Sequence, residues 1–397
     1  MITTAIAFAL SAGIALAACT SARESAADPA ARAGHDRAPY PIEHRLSAEP
    51  HTTTVDSALA RDYLNGTVSP ELMTILREFD ARPLSSASLT RLSARTSPDF
   101  ATAYFLKRQL AGRAQRHRQL QFTRAVQELR DADRAQLMAP AMARKLRSNF
   151  VFLFVPGLFY QSKPESKSDM RTQREQLNQL GYRTELIAVP EMGTVEGNAA
   201  IVADALRRRR HQQVILVSAS KGGPDIGHAL GQLLRPDETR HVRAWVNVGG
   251  AMGGSPLADR LIESPEMVFA RAYAWFKGGD ACALAVSLSQ RRSRERLVAE
   301  RIPAHVFVLN YMAVPFSGDI TPDVRGAYGY MRRFGPNDGV VQLLDQQAHT
   351  ETSGETIYAV GSDHRFLAPE IAVKTLALLR LDAERVLSPK ASAHRPK

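Results

Sequence analysis

The stretch Val214-Ile-Leu-Val-Ser-Ala-Ser220-Lys-Gly-Gly223 decides how the rest of this chain is read. Val214 to Val217 is short, apolar and mostly β-branched, the pattern of a buried strand. Gly227 to Leu234 alternates small and apolar positions, as a helix packed on a sheet does. Between them, two small residues, a serine and two glycines predict a sharp strand-to-helix turn. On such a turn the Oγ of Ser220 stands clear of the sheet, and the positions two residues either side must be small, hence Ser218 and Gly222. This is the layout of a nucleophile elbow, with Ser218 where glycine is usual. The same turn aims the backbone N–H of Lys221 at the site, one half of an oxyanion hole. Ser-x-Ser-x-Gly also occurs in ordinary turns, so the surrounding chain must supply the other parts.

Strands and helices alternate around the elbow. Asn149-Phe-Val-Phe-Leu-Phe-Val155 is an apolar strand stopped by Pro156 and Gly157, and a glycine-bearing turn at that point lets backbone N–H groups approach a ligand. Ser168 to Leu180 reads as a polar helix closed by Gly181, Arg183 to Val189 as a strand, and Val195 to Arg209 as a helix. The Arg207 to Arg210 run closes that helix, where cations complement the dipole. Val242 to Val248 is the next strand. The glycines after it, Gly249-Gly-Ala-Met-Gly-Gly, lack the Gly-x-Gly-x-x-Gly spacing and a following acidic ribose partner, which excludes a dinucleotide loop. His305 to Asn310 and Glu355 to Val360 are further strands, and Ala368 to Leu381 a closing helix. The alternation predicts right-handed crossovers and a parallel sheet, hence an α/β fold.

Serine at its free pKa is a poor nucleophile and needs a base, itself oriented by a carboxylate. His364 lies on a loop at the end of one predicted strand, and Asn337-Asp338-Gly339 is a tight turn that would present a carboxylate. His228 and His349 are the competing histidines, His228 reading as structural on the helix after the elbow. Asp363 reads as a residue that orders its loop, Asp345 as a substitute acid, and Asp225 as part of the first helical turns.

In order and content these pieces resemble the α/β-hydrolase fold, and more narrowly bacterial lipases and esterases. Val155-Pro-Gly-Leu158 stands where that family carries its oxyanion turn, with Pro156 in place of the commoner histidine. Ser218-Ala-Ser-Lys-Gly222 occupies the elbow. Gly253-Gly-Ser-Pro-Leu-Ala-Asp259 resembles the segment after the next strand, Pro336-Asn-Asp-Gly-Val-Val341 the acid loop, and Gly361-Ser-Asp-His364 the base loop. The resemblance implies Ser220 as nucleophile, Asp338 as acid and His364 as base, in the chain order serine, acid, histidine. It implies the backbone N–H groups of Leu158 and Lys221 as oxyanion donors, carboxylic esters of small molecules or lipids as substrates, and no cofactor. A thioesterase or amidase would use the same residues, and a non-catalytic envelope lipoprotein using the scaffold for binding is the alternative of another class.

The first eighteen residues carry no charged side chain, and Ile6 to Leu16 is an apolar core too short for a membrane span, the pattern of an export signal. Leu16-Ala-Ala-Cys19 resembles the bacterial lipobox, which implies acylation of Cys19 and a membrane-anchored envelope lipoprotein; simple secretion is the alternative. Residues 19–54, rich in Ala, Ser, Pro, Arg and His, are expected to form a flexible tether. Residues 55–147 read as a helical N-terminal subdomain, with helix starts at Ser69-Pro70 and Ser97-Pro98 and a third helix from Phe122 to Leu137. Residues 148–385 form the catalytic domain, with a helical cap insertion at about 256–303 that holds Met267, Phe269, Tyr273, Trp275 and Phe276, and 386–397 a tail. Packing those aromatics in a core, rather than in a cap over the site, is the other reading of that segment.

With 44% hydrophobic and 23% charged residues, the 397-residue chain has the composition of a globular protein. Its net charge of +11 favours anionic partners, but no nucleic-acid-reading motif accompanies it, so no nucleic acid is expected. Cys19 and Cys282 are the only cysteines, leaving no internal disulfide once Cys19 is lipidated, and Cys282 reads as a buried inert thiol. No residue set has metal-ligand spacing.

Overall fold

The computed structural model describes residues 40–46, 50–67, 69–131, 149–265, 267–276, 279–348, 354–366 and 377. The export signal, Cys19, His349, the helix expected at Ala368 to Leu381 (Ala377 excepted) and the tail lie outside these residues.

The described chain opens with an antiparallel hairpin, β1 (Tyr40–His44) and β2 (His51–Val55), in the stretch expected to be a tether. The reason is a period of two that compositional reading passes over. Ile42 and His44 face inward from one strand, Thr53 and Val55 from the other, and the threonines suit a pleated surface. Helices α1 (Ala58–Leu64), α2 (Pro70–Asp80), α3 (Ser86–Arg95), α4 (Pro98–Gln109) and α5 (Arg113–Asp131) follow. Ser69 and Ser97 cap α2 and α4, accepting hydrogen bonds from Leu72 N and Phe100 N, with Pro70 and Pro98 in the first turns. Helix α5 starts nine residues before the predicted Phe122, because its first turns are too polar to show an apolar stripe. The rest of that prediction, 132–137, lies outside the described residues.

The sheet proper is β3 (Phe150–Val155), β4 (Arg183–Leu186), β5 (Gln213–Ala219), β6 (Val242–Val248), β7 (Phe307–Val314) and β8 (Gly354–Val360). All six strands run parallel in the order β4-β3-β5-β6-β7-β8. Helices α6 (Arg171–Gln179) and α7 (Val195–Arg208) lead to β4 and β5, and α8 (Gly222–His228) leaves β5. The segment expected as a cap insertion forms four helices, α9 (Pro256–Glu263), α10 (Met267–Phe276), α11 (Ala281–Leu288) and α12 (Gln290–Ala299); α13 (Arg325–Met331) lies between β7 and β8.

Buried on both faces, β3 shows how the period of two builds the layers. Phe150, Phe152 and Phe154 face one core with Leu177 of α6, while Val151, Leu153 and Val155 face the other with α7 and α8. The aromatic face also receives Phe122, Ala125 and Val126 of α5. The helical N-terminal region is therefore not a separate core: α5 covers the sheet, and α1 to α4 share a core with Met312, Val314 and Tyr358 of β7 and β8. Helix α5 also covers the free edge of β8. Gln119 accepts from Tyr358 N at 3.1 Å and donates to Tyr358 O at 3.0 Å, the pairing a further strand would have made.

The chain moves from β3 outward to β4 and then returns past β3 to β5, so the direction of winding reverses between β3 and β5. The crevice beyond the carboxyl ends of strands at such a reversal is where α/β sheets bind ligands. Pro156-Gly157-Leu158 and Ser220 stand there.

Candidate active site

Ser220 has φ +50°, a left-handed conformation that L side chains rarely adopt. Three main-chain hydrogen bonds hold it: Ser220 N donates to Val248 O at 3.0 Å, and Ser220 O accepts from Gly223 N at 3.0 Å and Ala251 N at 3.1 Å. A Cβ on Gly222 would lie 2.4 Å from Val155 O, so no side chain fits there. A Cβ on Gly157 would lie 3.3 Å from Ser220 Cβ, which places the turn after β3 directly against the serine. Ser218 stands where glycine is usual because it has a partner: its Oγ accepts from the buried indole N–H of Trp245 at 2.9 Å. The helix after the elbow begins at Gly222, five residues before the predicted Gly227, and passes into a wider π turn at Ala229–Leu233. Gly223 and Pro224 read as breakers, yet the first turn of a helix tolerates both.

The structure brings Ser220, His364 and Asp338 together. His364 Nε2 lies 2.9 Å from Ser220 Oγ, and His364 Nδ1 lies 2.7 Å from Asp338 Oδ2. A carboxylate only accepts, so Nδ1 carries the proton and Nε2 is free to accept from the serine. Asp338 is fully buried, and its other oxygen, Oδ1, accepts from Val340 N at 2.9 Å and Val341 N at 2.7 Å. The two loops are also joined by main chain, His364 N donating to Asp338 O at 2.8 Å. Burial presses the His364 imidazole toward its neutral form. The charge and hydrogen bond of Asp338, with Asp363 adding, outweigh it and leave the pKa above the ordinary 6.5.

Lys221 follows the serine and Leu158 follows Gly157, which lies against it, and neither backbone N–H donates to an acceptor among the described residues. The Lys221 side chain turns away from the crevice, where Nζ donates to both oxygens of Asp225 at 2.9 Å; both residues are buried. Asp363 orders its loop, accepting from Thr321 N at 2.8 Å, Thr321 Oγ1 at 2.7 Å and Arg365 N at 3.0 Å. Asp345 lies beside Gln290 and Arg294 of α12, and His228 lies 3.5 Å from Glu300; neither is at the site. Cys282 is half-buried on α11, not buried as predicted, since that helix exposes one face. Phe366 escaped the sequence reading. It has φ +43° and packs on Tyr311 and on Gly249, where a Cβ would lie 2.3 Å from its ring, so it backs the histidine loop. Among the described residues, no three His, Cys, Asp or Glu side chains are placed to hold a metal ion.

A parallel sheet in this order, a serine elbow after β5, and an acid and a histidine on loops after β7 and β8 define one architecture. The chain has the α/β-hydrolase fold. Solved structures similar to it include bacterial lipases and a metagenomic carboxyl esterase. A metagenomic carboxyl esterase aligns at TM-score 0.48 and 22% identity, over 60% of this chain and 76% of that one. The mature Bacillus licheniformis lipase BlEst2 aligns at 0.43 and 23%, over 60% of this chain and 91% of that one. Staphylococcus hyicus lipase aligns at 0.42 and 12%, over 60% of this chain and 94% of that one. No protein-family model matches the sequence, and no curated protein sequence matches it either. At these levels the likenesses carry no argument, and the fold rests on the topology and the site on the geometry above.

Proposed function

We propose that this protein is a serine hydrolase that cleaves carboxylic esters through an acyl-enzyme. The observation that carries the reading is the single imidazole of His364 bridging Ser220 Oγ at 2.9 Å and Asp338 Oδ2 at 2.7 Å in the crevice. Ser220 Oγ attacks the carbonyl carbon while His364 Nε2 takes its proton. Asp338 holds the ring in the tautomer this needs and stabilises the imidazolium. The tetrahedral oxyanion is received by the N–H groups of Leu158 and Lys221, each worth about 3 kcal/mol to the transition state. His364 returns the proton to the leaving alcohol, and a water, deprotonated by the same nitrogen, then releases the acid and restores Ser220. The substrate is a small-molecule or lipid ester. The sequence Leu16-Ala-Ala-Cys19 supports a lipid-anchored envelope protein, which would bring such a site to a membrane surface.

Fluorophosphonate labelling of the full chain beside Ser220→Ala, followed by p-nitrophenyl esters of rising acyl length, tests the reading. Labelling that disappears in the variant, with ester turnover in the wild type, is the expected result. A wild type that neither labels nor hydrolyses any ester refutes it. Intact-mass analysis of the membrane-extracted chain tests acylation at Cys19.

A further inference from the structure

The residue after the nucleophile is a lysine whose side chain never reaches the crevice. Lys221 is 2% exposed, Asp225 fully buried, and the ammonium donates to both carboxylate oxygens at 2.9 Å. Asn198 completes the cluster, its Nδ2 donating to Asp225 Oδ2 at 3.0 Å and to Pro190 O at 3.2 Å. Burial pushes Lys221 down and Asp225 up, and their mutual attraction opposes both shifts. Packed apolar side chains of similar volume often stabilise a fold as well as a buried ion pair does, so stability alone gives this pair little reason to exist. What it does have is position. Main-chain closure across the same interval is weak, with Asp225 N at 3.4 Å from Lys221 O, whereas the side chains span that turn with two short charged hydrogen bonds. Ser220, immediately before, is in a left-handed conformation that the surroundings must enforce.

We infer that Lys221 and Asp225 are positioning residues that pin the first turn of α8 and so fix the direction of the Lys221 N–H, the oxyanion donor. This inference rests on the serine-hydrolase reading. The ammonium is not in contact with the reacting atoms; it acts through its own main chain. Asn198 extends the tie to the loop after β4, so the donor is referenced to two strands, β4 and β5.

The test uses the full chain and three variants: Lys221→Met, Asp225→Asn, and the double Lys221→Met/Asp225→Leu, which leaves no unpaired buried charge. Steady-state ester kinetics, the inhibition constant of a trifluoromethyl ketone and the thermal midpoint are measured for each. Hydrolysis by the wild type and its loss in Ser220→Ala establish the parent reading first, so its failure is seen separately. The expected result is a fall in kcat of about tenfold or more with KM within about twofold, since a misdirected donor weakens only the transition state. The trifluoromethyl ketone, whose adduct carries an oxyanion, weakens by a similar factor. The double variant recovers the thermal midpoint and keeps the kinetic defect. A double variant with wild-type kcat and ketone affinity overturns the inference, as do single variants whose lost activity tracks only the lost folded fraction.

Discussion

Gly222→Ala puts the elbow geometry to its hardest test. The added Cβ would lie 2.4 Å from Val155 O, 2.9 Å from Pro156 O and 3.0 Å from Val155 C. All three atoms are main chain, so no rotamer change relieves the clash. An ordinary contact begins near 3.4 Å, so β3 and the elbow must part by about 1 Å. The part of β3 that moves is the end that carries Gly157 and Leu158, one of the two proposed oxyanion donors. Overpacking of this kind costs about 1–3 kcal/mol of stability. A misplacement near 1 Å costs about 100-fold in rate, in line with the loss of one oxyanion donor. The expected outcome is a folded protein with kcat for a p-nitrophenyl ester reduced about 100-fold and KM little changed. Gly329→Ala is the control: a Cβ there meets nothing within 4 Å, and alanine suits the interior of α13. Gly222→Ala retaining activity within twofold of wild type would falsify the close approach of Val155 to the elbow and the donor geometry derived from it.

Two further outcomes follow from the site. In the proposed role of base His364 must be neutral, and its pKa stands above 6.5, so kcat/KM should fall on the acid side with a midpoint above 6.5. Asp338→Asn should move that midpoint down while lowering kcat by about 10⁴, read from pH–rate profiles; an unmoved midpoint would contradict the coupling. The sign for stability is opposite: a raised histidine contributes fully below 6.5 and loses that contribution as pH rises through its folded pKa, measurable by denaturant titration at several pH values. Ser218→Gly restores the usual elbow glycine but strands the Trp245 indole N–H, and should destabilise the fold by about 1–3 kcal/mol in urea unfolding; a neutral or stabilising result would show that the hydroxyl is dispensable.

Most of the sheet was legible because β3, β6 and β7 are apolar runs ended by glycine or proline, and the elbow because small residues stand two positions either side of Ser220. The acid and base were harder. Asp338 and His364 are 26 positions apart in sequence and meet only because β7 and β8 are neighbours, a fact that family order supplied and periodicity did not. The hairpin at Tyr40–Val55 was missed because its composition is polar, and its alternation shows only once its inner face has something to pack on. The Lys221–Asp225 pair was visible as an i, i+4 spacing. Its burial was not, since lysine is rarely buried and i, i+4 spacing alone does not mark a buried pair.

The N-terminal helices matter to the site by a route that sequence could not show. The chain needs a long excursion from the end of β7 to Asp338, and that excursion is fastened to them. Asp99 of α4 accepts from Ser317 N at 3.0 Å, from Ser317 Oγ at 2.5 Å and from Asp56 N at 2.7 Å. Asp56 in turn accepts from Arg332 at 2.8 Å, and Thr90 of α3 donates to Phe334 O at 2.6 Å, four residues before the acid. Gly335, at φ +101°, has Thr90 within 3.2 Å of where its Cβ would be, so the loop turns directly on α3. Asp338 is bonded within its own loop by Val340 and Val341, and the chain that leads to that loop is fastened to α3 and α4. A carboxylate that holds an imidazole at 2.7 Å gains precision from rigid elements as well as from the loop that bears it. The helices ahead of the sheet pack into one unit with it, and a boundary drawn at residue 147 would divide the Asp338 loop from its support.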